Sequence, residues 1–510
     1  MTVRVRDNVW LLGALWLVGP AWGQTTSAPL VLTPERAVSL ALEQNAGVQA
    51  ARLGPRIADE DVRATEGAWT PVVSSRLTGI SELLPSESTL TATQLSTLRV
   101  GRTADVTLQQ RLPWGTQYEV TLSGGRQSSN SILTRFDPAL TTAVSARVVQ
   151  PLLRGRSIDA PRAARDIAVV QRADADAELQ AEIARTTFAV RQAYWDWSFT
   201  LDVLEVQNTS LVLAEDLLRE NRRRAEVGAI ASVDVIEVEA EVASRQEAVL
   251  VASARVRNAE DSLKRMLFRL ESPDALRPLE RAPVDPLEEV APVVRADVSA
   301  RREVTALRTA LEANDVSIQR WANEALPDVS LQFDYMARGV AGTELLRANG
   351  IFAPVTGTAT RAFSAALADA WSSDFPTWSS QIVVSVPLWE NAARAQHRQA
   401  VLERQQNEAR LRDAEVAAQT EFAIADRDVV TALGRIRLTR DAVTLAAERL
   451  DAEQRKFVVG LSTSFFVFQA QRDLALARVT ALTAVRDYHV AMARAEAVSI
   501  VSLAQLGVRP

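Results

Sequence analysis

Around Gly228 the chain reads Ala225-Glu226-Val227-Gly228-Ala229-Ile230-Ala231-Ser232-Val233-Asp234-Val235, and around Gly460 it reads Phe457-Val458-Val459-Gly460-Leu461-Ser462-Thr463-Ser464-Phe465-Phe466-Val467. Gly228 pairs with Gly460, Ser232 with Ser464 and Val235 with Val467. A seven-residue ladder of apolar residues leads into each copy. It runs through Ile183, Val190, Trp197, Leu204, Leu211 and Leu218 in one, and through Phe422, Val429, Ile436, Val443, Leu450 and Phe457 in the other. Moving Val190 by the Gly228-to-Gly460 spacing lands on Phe422, and the next four rungs follow in step. Chance does not hold two seams and two glycines in one register. A glycine between two long amphipathic helices lets the chain reverse, so the sequence encodes a duplicated helical hairpin. A heptad seam specifies coiled-coil packing with a left-handed twist. At a rise of 1.5 Å per residue, helices of this length reach on the order of 100 Å.

The duplication extends beyond the hairpins. A helix is expected over 33–68, with Thr33 as N-cap, Pro34 in the first helical position and Glu35 in the first turn. Gly54-Pro55 should kink it, and Pro71 should end it. Alternation then predicts strands at 72–82, 103–112, 117–125 and 141–149, with a turn at Pro113-Trp114-Gly115 and polar loops at 83–101 and 128–139. A long helix follows over 157–227, returning over 231–271. Pro273, Pro278, Pro283, Pro286 and Pro292 make the next stretch a linker. The order then restarts: helix 295–325, strand Asp328 to Ala337, a Gly, Ala and Thr-rich loop over 339–378, strand Ser379 to Val386, and a second hairpin returning over 463–506. Pro71-Val72-Val73-Ser74 matches Pro327-Asp328-Val329-Ser330, and Pro151-Leu152 matches Pro387-Leu388. The expected division is an export signal at 1–23, a first repeat at 24–271, a linker at 272–294 and a second repeat at 295–510.

Composition narrows the function classes. The chain has 57 basic and 63 acidic residues among 510, which argues against nucleic-acid binding. It has no cysteine, hence no disulfide, thiol nucleophile or thiolate metal site. Its two histidines, His397 and His489, lie far apart within helical patterns and read as surface or packing residues. Tyr194-Trp195-Asp196-Trp197 reads as core, because Trp197 is on the seam, and Arg222-Arg223-Arg224 reads as a solvated surface. Near the N-terminus, Arg4 and Arg6, the apolar run Val9 to Gly19 and Ala21-Trp22-Gly23 form an export signal with cleavage before Gln24. Beyond it no run of 18 apolar residues follows. An exported chain of this kind is periplasmic, secreted, or inserted in an outer membrane as β-strands.

Strands too few to close a barrel cannot sit open-edged in lipid, where each unpaired backbone group costs several kcal/mol. Copies of the chain must complete them, and a ring of protomers would give a β-barrel joined to a helical tube. The expected fold class is therefore mainly α with a β-barrel portion, acting as a conduit. A periplasmic adaptor would show one hairpin flanked by compact β-rich modules, and a structural coiled-coil envelope protein would leave the alternating strands unexplained. No nucleophile, metal cluster or phosphate loop suggests an enzyme.

These features resemble the TolC-like outer-membrane efflux protein family over about residues 30–507. The duplicated plan, the Thr-Pro-Glu-Arg-Ala-Val start at 33–38, Gln150-Pro151-Leu152-Leu153 and the two glycine turns carry the resemblance. It implies a homotrimer with a twelve-stranded barrel in the outer membrane of a Gram-negative bacterium and a twelve-helix periplasmic tube. It also implies docking on a periplasmic adaptor and an inner-membrane pump, and neither chemistry nor a cofactor. The family's docking tips fall on Val227, Gly228 and Ala229 and on Val459, Gly460 and Leu461. Relatives often carry acidic residues just after the second turn, where this chain has Phe466 and Gln469. An apolar constriction formed by Phe465, Phe466 or Phe468 is the corresponding expectation, with Asp234 at the matching place in the first turn. The family norm needs two strands per repeat. The hairpin at 103–125 is extra: it either widens the barrel or packs outside the membrane.

Overall fold

A computed structural model describes residues 30–85, 96–267, 276–278, 299, 301–348, 350, 353–389 and 391–499. The predicted export signal and most of the proline-rich linker lie outside these residues. The chain divides into two units, one of Met1–Ala41, Ala189–Leu287 and Leu433–Val490, the other of Leu42–Phe188, Glu288–Ala432 and Ala491–Pro510.

A short strand β1 (Leu30–Leu32) precedes α1 (Pro34–Gln44). The Thr33 hydroxyl accepts the Arg36 N–H at 3.1 Å, so the predicted cap is present. The expected single helix is nevertheless divided at Asn45. Its side chain accepts the N–H groups of Gly47 and Val48 at 2.8 and 3.3 Å and starts α2 (Ala46–Glu66). Pro55, where a kink was expected, lies inside α2. A side-chain oxygen aimed at free N–H groups restarts a helix more decisively here than one missing donor interrupts it.

The hairpins are built from α3 (Ala160–Glu226), α4 (Ser232–Met266), α7 (Ala392–Val458) and α8 (Ser464–Ser499); the first unit holds α3 from Ala189, α4, α7 from Leu433 and α8 as far as Val490. Most of the ladder residues are buried, among them Val190, Trp197, Leu218, Val429, Ile436, Leu450 and Phe457. One core cluster joins Leu32 and Leu40 to Val190, Tyr194, Trp197 and Leu263. The Tyr194 hydroxyl donates to the Leu32 carbonyl at 3.0 Å. A three-residue strand β6 (Leu276–Pro278) pairs in parallel with β1. The aromatic run is thus core, as its seam position implied.

His489 packs into the same region, its ring stacked on Trp195 at 3.8 Å between centroids. Burial depresses its pKa to about 4, while the unfolded imidazole titrates near 6.5. Between these values the unfolded chain binds more protons, so stability falls as pH drops from about 6.5 and levels off near 4. The full effect is up to about 3 kcal/mol. Urea denaturation at pH 7 and pH 4.5 should show this loss, and His489→Gln should remove that component of the slope.

The second unit carries the sheet. Its strands are β2 (Val72–Pro85), β3 (Ser96–Arg111), β4 (Gln117–Ser129), β5 (Phe136–Pro151), β7 (Asp328–Arg347), β8 (Val355–Arg361) and β9 (Pro376–Ser385). They are antiparallel in the order β2-β3-β4-β5-β7, with β8 on one half of β7 and β9 on the other. The helix α5 (Arg302–Glu324) precedes β7. Its Arg302 makes a two-pronged pair with Asp174 of α3 at 2.8 and 2.9 Å and a third bond to Glu178 at 2.6 Å.

The strands outrun their predicted ends: β3 begins at Ser96, inside a predicted loop, and β5 begins at Phe136. The stretch 339–378, expected to be a loop, holds the rest of β7, all of β8, the helix α6 (Phe363–Ser372) and the start of β9. The extra hairpin is part of the sheet, with β3 paired to β2 on one side and β4 paired to β5 on the other. That differs from the two strands per repeat implied by the family norm.

Candidate functional site: hairpin tips and a two-faced sheet

Both turns end their helices in one way. Gly228 has φ 73° and Gly460 φ 77°, in the left-handed region where a Cβ is unfavourable. The Gly228 N–H donates to Ala225 and the Ala229 N–H to Arg224, at 3.0 and 2.7 Å; Gly460 donates to Phe457 and Leu461 to Lys456, at 3.2 and 2.8 Å. This paired pattern is the Schellman motif, which satisfies the last carbonyls of a helix. The duplication therefore reaches the level of individual hydrogen bonds.

The turns present apolar side chains to the outside. Val227 and Leu461 are each 79% exposed, and Val459, Gly228, Gly460 and Ala229 are exposed too. Of the arginine run, Arg222 and Arg223 are exposed, as a solvated surface requires, and Arg224 turns into the molecule. Arg222 pairs with Glu239 at 2.6 Å. Arg224 pairs with Glu220 at 2.9 Å, donates to the Phe457 carbonyl at 3.0 Å and lies 4.3 Å over the Phe457 ring. It thereby staples one tip to the other.

Beyond the second turn, the first residues of α8 divide by helical period. Phe465 and Phe466 are about half exposed, at 51% and 50%, with ring centroids 5.5 Å apart. Phe468 is buried among Leu217, Val238, Leu450 and Val467, and Gln469 is half-buried. Asp234 is half-buried and turned to local use, accepting the Ala231 N–H at 3.3 Å at the start of α4.

Deeper between the hairpins lies a group that the sequence reading missed. Glu241 of α4 is buried and accepts bonds from Arg245 at 2.8 Å and from Arg472 of α8 at 3.1 Å, with a second, shorter contact to Arg472. Burial alone would raise its pKa, but the two guanidinium groups outweigh that and hold the carboxyl below the usual range. The Glu241–Arg245 spacing was a visible signal; Arg472 became its partner only through the fold.

In the sheet, paired residues share a face, so the register sorts every side chain. One face carries Val73, Leu77, Leu108, Val120, Phe333 and Ile382; the other carries Arg76, Asp105, Glu119, Arg147, Asp334 and Gln381. On the polar face Arg147 pairs with Asp334 at 2.6 Å. The apolar face is bare in several places, with Leu77 84% exposed. The helix α6 covers part of it. Thr142 donates to the Ala366 carbonyl at 2.7 Å, and a Cβ on Gly339 would stand 1.8 Å from that oxygen. Glycine is required there to seat the helix. Among the described residues no helix is long and apolar enough to cross a membrane, and no acidic or histidine cluster could hold a metal ion.

The profile of the family described as Outer membrane efflux protein matches residues 37–267. No curated protein matches the chain by sequence. Among solved structures, the outer membrane protein VceC of Vibrio cholerae superposes with a TM-score of 0.63 at 15% identity, covering 91% of this chain and 96% of that one. The CmeC outer membrane channel of Campylobacter jejuni gives 0.65 at 12%, covering 96% and 93%. The open state of the MtrE outer membrane channel of Neisseria gonorrhoeae gives 0.62 at 14%, covering 91% and 88%. At such identities the superpositions establish the fold, a long-helix body with an antiparallel β portion. With the family match, they bear out the resemblance to the TolC-like outer-membrane efflux proteins.

Proposed function

We propose that this protein is the exit duct of a tripartite efflux or type I secretion system. It sits as a homotrimer in the outer membrane of a Gram-negative bacterium and reaches into the periplasm. There it receives substrates from a periplasmic adaptor and an inner-membrane pump and conducts them passively, without catalysis. The observation that carries this reading is the sheet whose one face is exposed and apolar while the other is polar. A bare apolar face of this kind marks an interaction surface, and strands that alternate apolar and polar are those of a membrane barrel with a wet interior. Neither a periplasmic adaptor nor a structural coiled-coil protein has use for such a sheet.

The exposed turns Val227-Gly228-Ala229 and Val459-Gly460-Leu461 are the adaptor-docking tips in this scheme, two apolar knobs per chain. Phe465 and Phe466 are the periplasmic gate. The test is direct: the protein should be extracted from membranes only by detergent, migrate as a trimer that heating dissociates, and conduct ions in planar bilayers. A water-soluble monomer with no channel activity would overturn the proposal.

A further inference from the structure

Resting on the homotrimer proposed above, we infer that three copies close an eighteen-stranded barrel. The β2 edge of one copy pairs with the β8–β9 edge of the next. The strand count per copy comes from the pairing. Because β8 pairs with Gly342–Arg347 and β9 with Asp328–Ala337 of the same strand, the two occupy one lateral position. The positions are then β2, β3, β4, β5, β7 and the β8–β9 pair, six in all, and three copies of six make eighteen.

The β3–β4 hairpin belongs to this wall. Its strands pair along nearly their whole length with both neighbours, from Val72↔Gln109 to Pro85↔Ser96 and from Gln117↔Val149 to Gln127↔Ala139. The two-faced pattern also runs through most of it, with the facing pair Arg102 and Arg126 as charged exceptions on the apolar face. Val106, Leu108, Val120 and Leu122 lie on the apolar face, Leu108 half-buried and the other three exposed, while Asp105, Thr107, Glu119 and Thr121 lie on the polar face. Thr107 and Thr121 hydrogen-bond across it at 2.9 Å. A hairpin folded away from lipid has no reason to keep an apolar face in line with that of β2 and β5.

The free edges suit each other. β2 runs antiparallel to β3 and β9 antiparallel to β7, and the sheet order makes β2 antiparallel to β9 around the ring as well. Both edges hold unpaired backbone groups that lipid cannot satisfy, at several kcal/mol each. The excursion between β8 and β9 leaves the edge clear, because α6 packs on the apolar face of β5 and β7. Barrel diameter grows about linearly with strand number, so eighteen strands give a mouth about 1.5 times as wide as twelve. At this size a barrel holds an open aqueous channel, so the outer-membrane end is no barrier to cargo and control falls to the periplasmic tips.

The chain contains no cysteine, so engineered pairs are read without background. Thr78→Cys on the polar face of β2 is combined in turn with Ser379→Cys, Gln381→Cys or Val383→Cys on the polar face of β9, three variants that sample the register. Mild oxidation in isolated outer membranes should convert one of them to covalent trimers, and each single variant should stay unlinked. Electron cryomicroscopy of the extracted wild-type trimer then counts the strands. Eighteen in a continuous wall supports the inference. A conducting trimer with twelve strands and the β3–β4 hairpin outside the wall overturns it while leaving the proposed function intact. A soluble monomer overturns both.

Discussion

Replacing Glu241 with alanine should destabilise the hairpin body by about 3 kcal/mol, the lower part of the range for breaking a buried ion pair. The carboxylate is 5% exposed and holds two guanidinium groups from two helices. Its loss strands Arg245, whose side chain is only 14% exposed. Arg472 is half in solvent and can turn to water, which keeps the loss from reaching the top of the range. The same reasoning predicts partial rescue. Methionine at 241, 245 and 472 together removes every buried charge while keeping volume, and such replacements are often neutral. The pH dependence has a definite sign. The folded carboxyl titrates below the unfolded one, so its contribution is complete above the usual carboxylate range and fades as pH falls through the folded value. Chemical denaturation at neutral pH measures the loss, and Glu241→Gln should flatten the acid side of the stability curve.

That triad also marks where the sequence stops being readable. Local chemistry was legible. A glycine between two heptad seams has to take positive φ to reverse the chain, and Gly228 and Gly460 both do. Trp197 lies on a seam and is buried. What failed depended on signals weaker than their surroundings. The region 339–378 looked like a loop because its strands are built from Gly, Ala and Thr, and α6 is an alanine-rich helix too short to display a period. The small residues that hid these elements are the ones that let α6 approach, as at Gly339. The ends of β3 and β5 were missed because polar residues there mask the alternation. The Asn45 cap does not show in the periodicity of 33–68, because one side chain's hydrogen bonds leave no periodic trace. At the tips, the exposed turn residues around Gly228 and Gly460 could be located from the turn geometry. Which of the phenylalanines points where could not be read from a run of four apolar residues, since two of them had to face the partner helices.

The fold resolves that run, and the division predicts opposite phenotypes within four residues. Ser464, Val467, Phe468 and Gln471 form the buried side of α8, while Phe465 and Phe466 stand half exposed on the other. In a closed ring of copies, an apolar pair repeated around the axis excludes water and blocks ions without any charged group. The double variant Phe465→Ser, Phe466→Ser should therefore raise single-channel conductance several-fold and sensitise cells to bulky antibiotics, with little change in thermal stability. Phe468→Ser should do the reverse. Emptying a buried phenylalanine site costs about 3 kcal/mol or more, so the trimer should melt earlier while the conductance of the intact fraction stays at the wild-type level. Asp234→Asn tests the acidic alternative at the first turn. Its carboxylate is engaged with the Ala231 N–H, a bond that an amide oxygen can still accept, so the change should remove only the charge–dipole interaction at the start of α4, about 0.5 kcal/mol, and leave conductance unchanged. Planar-bilayer recordings of the three variants separate the roles. A double serine variant with wild-type conductance would remove the phenylalanines from the gate and return them to packing between copies.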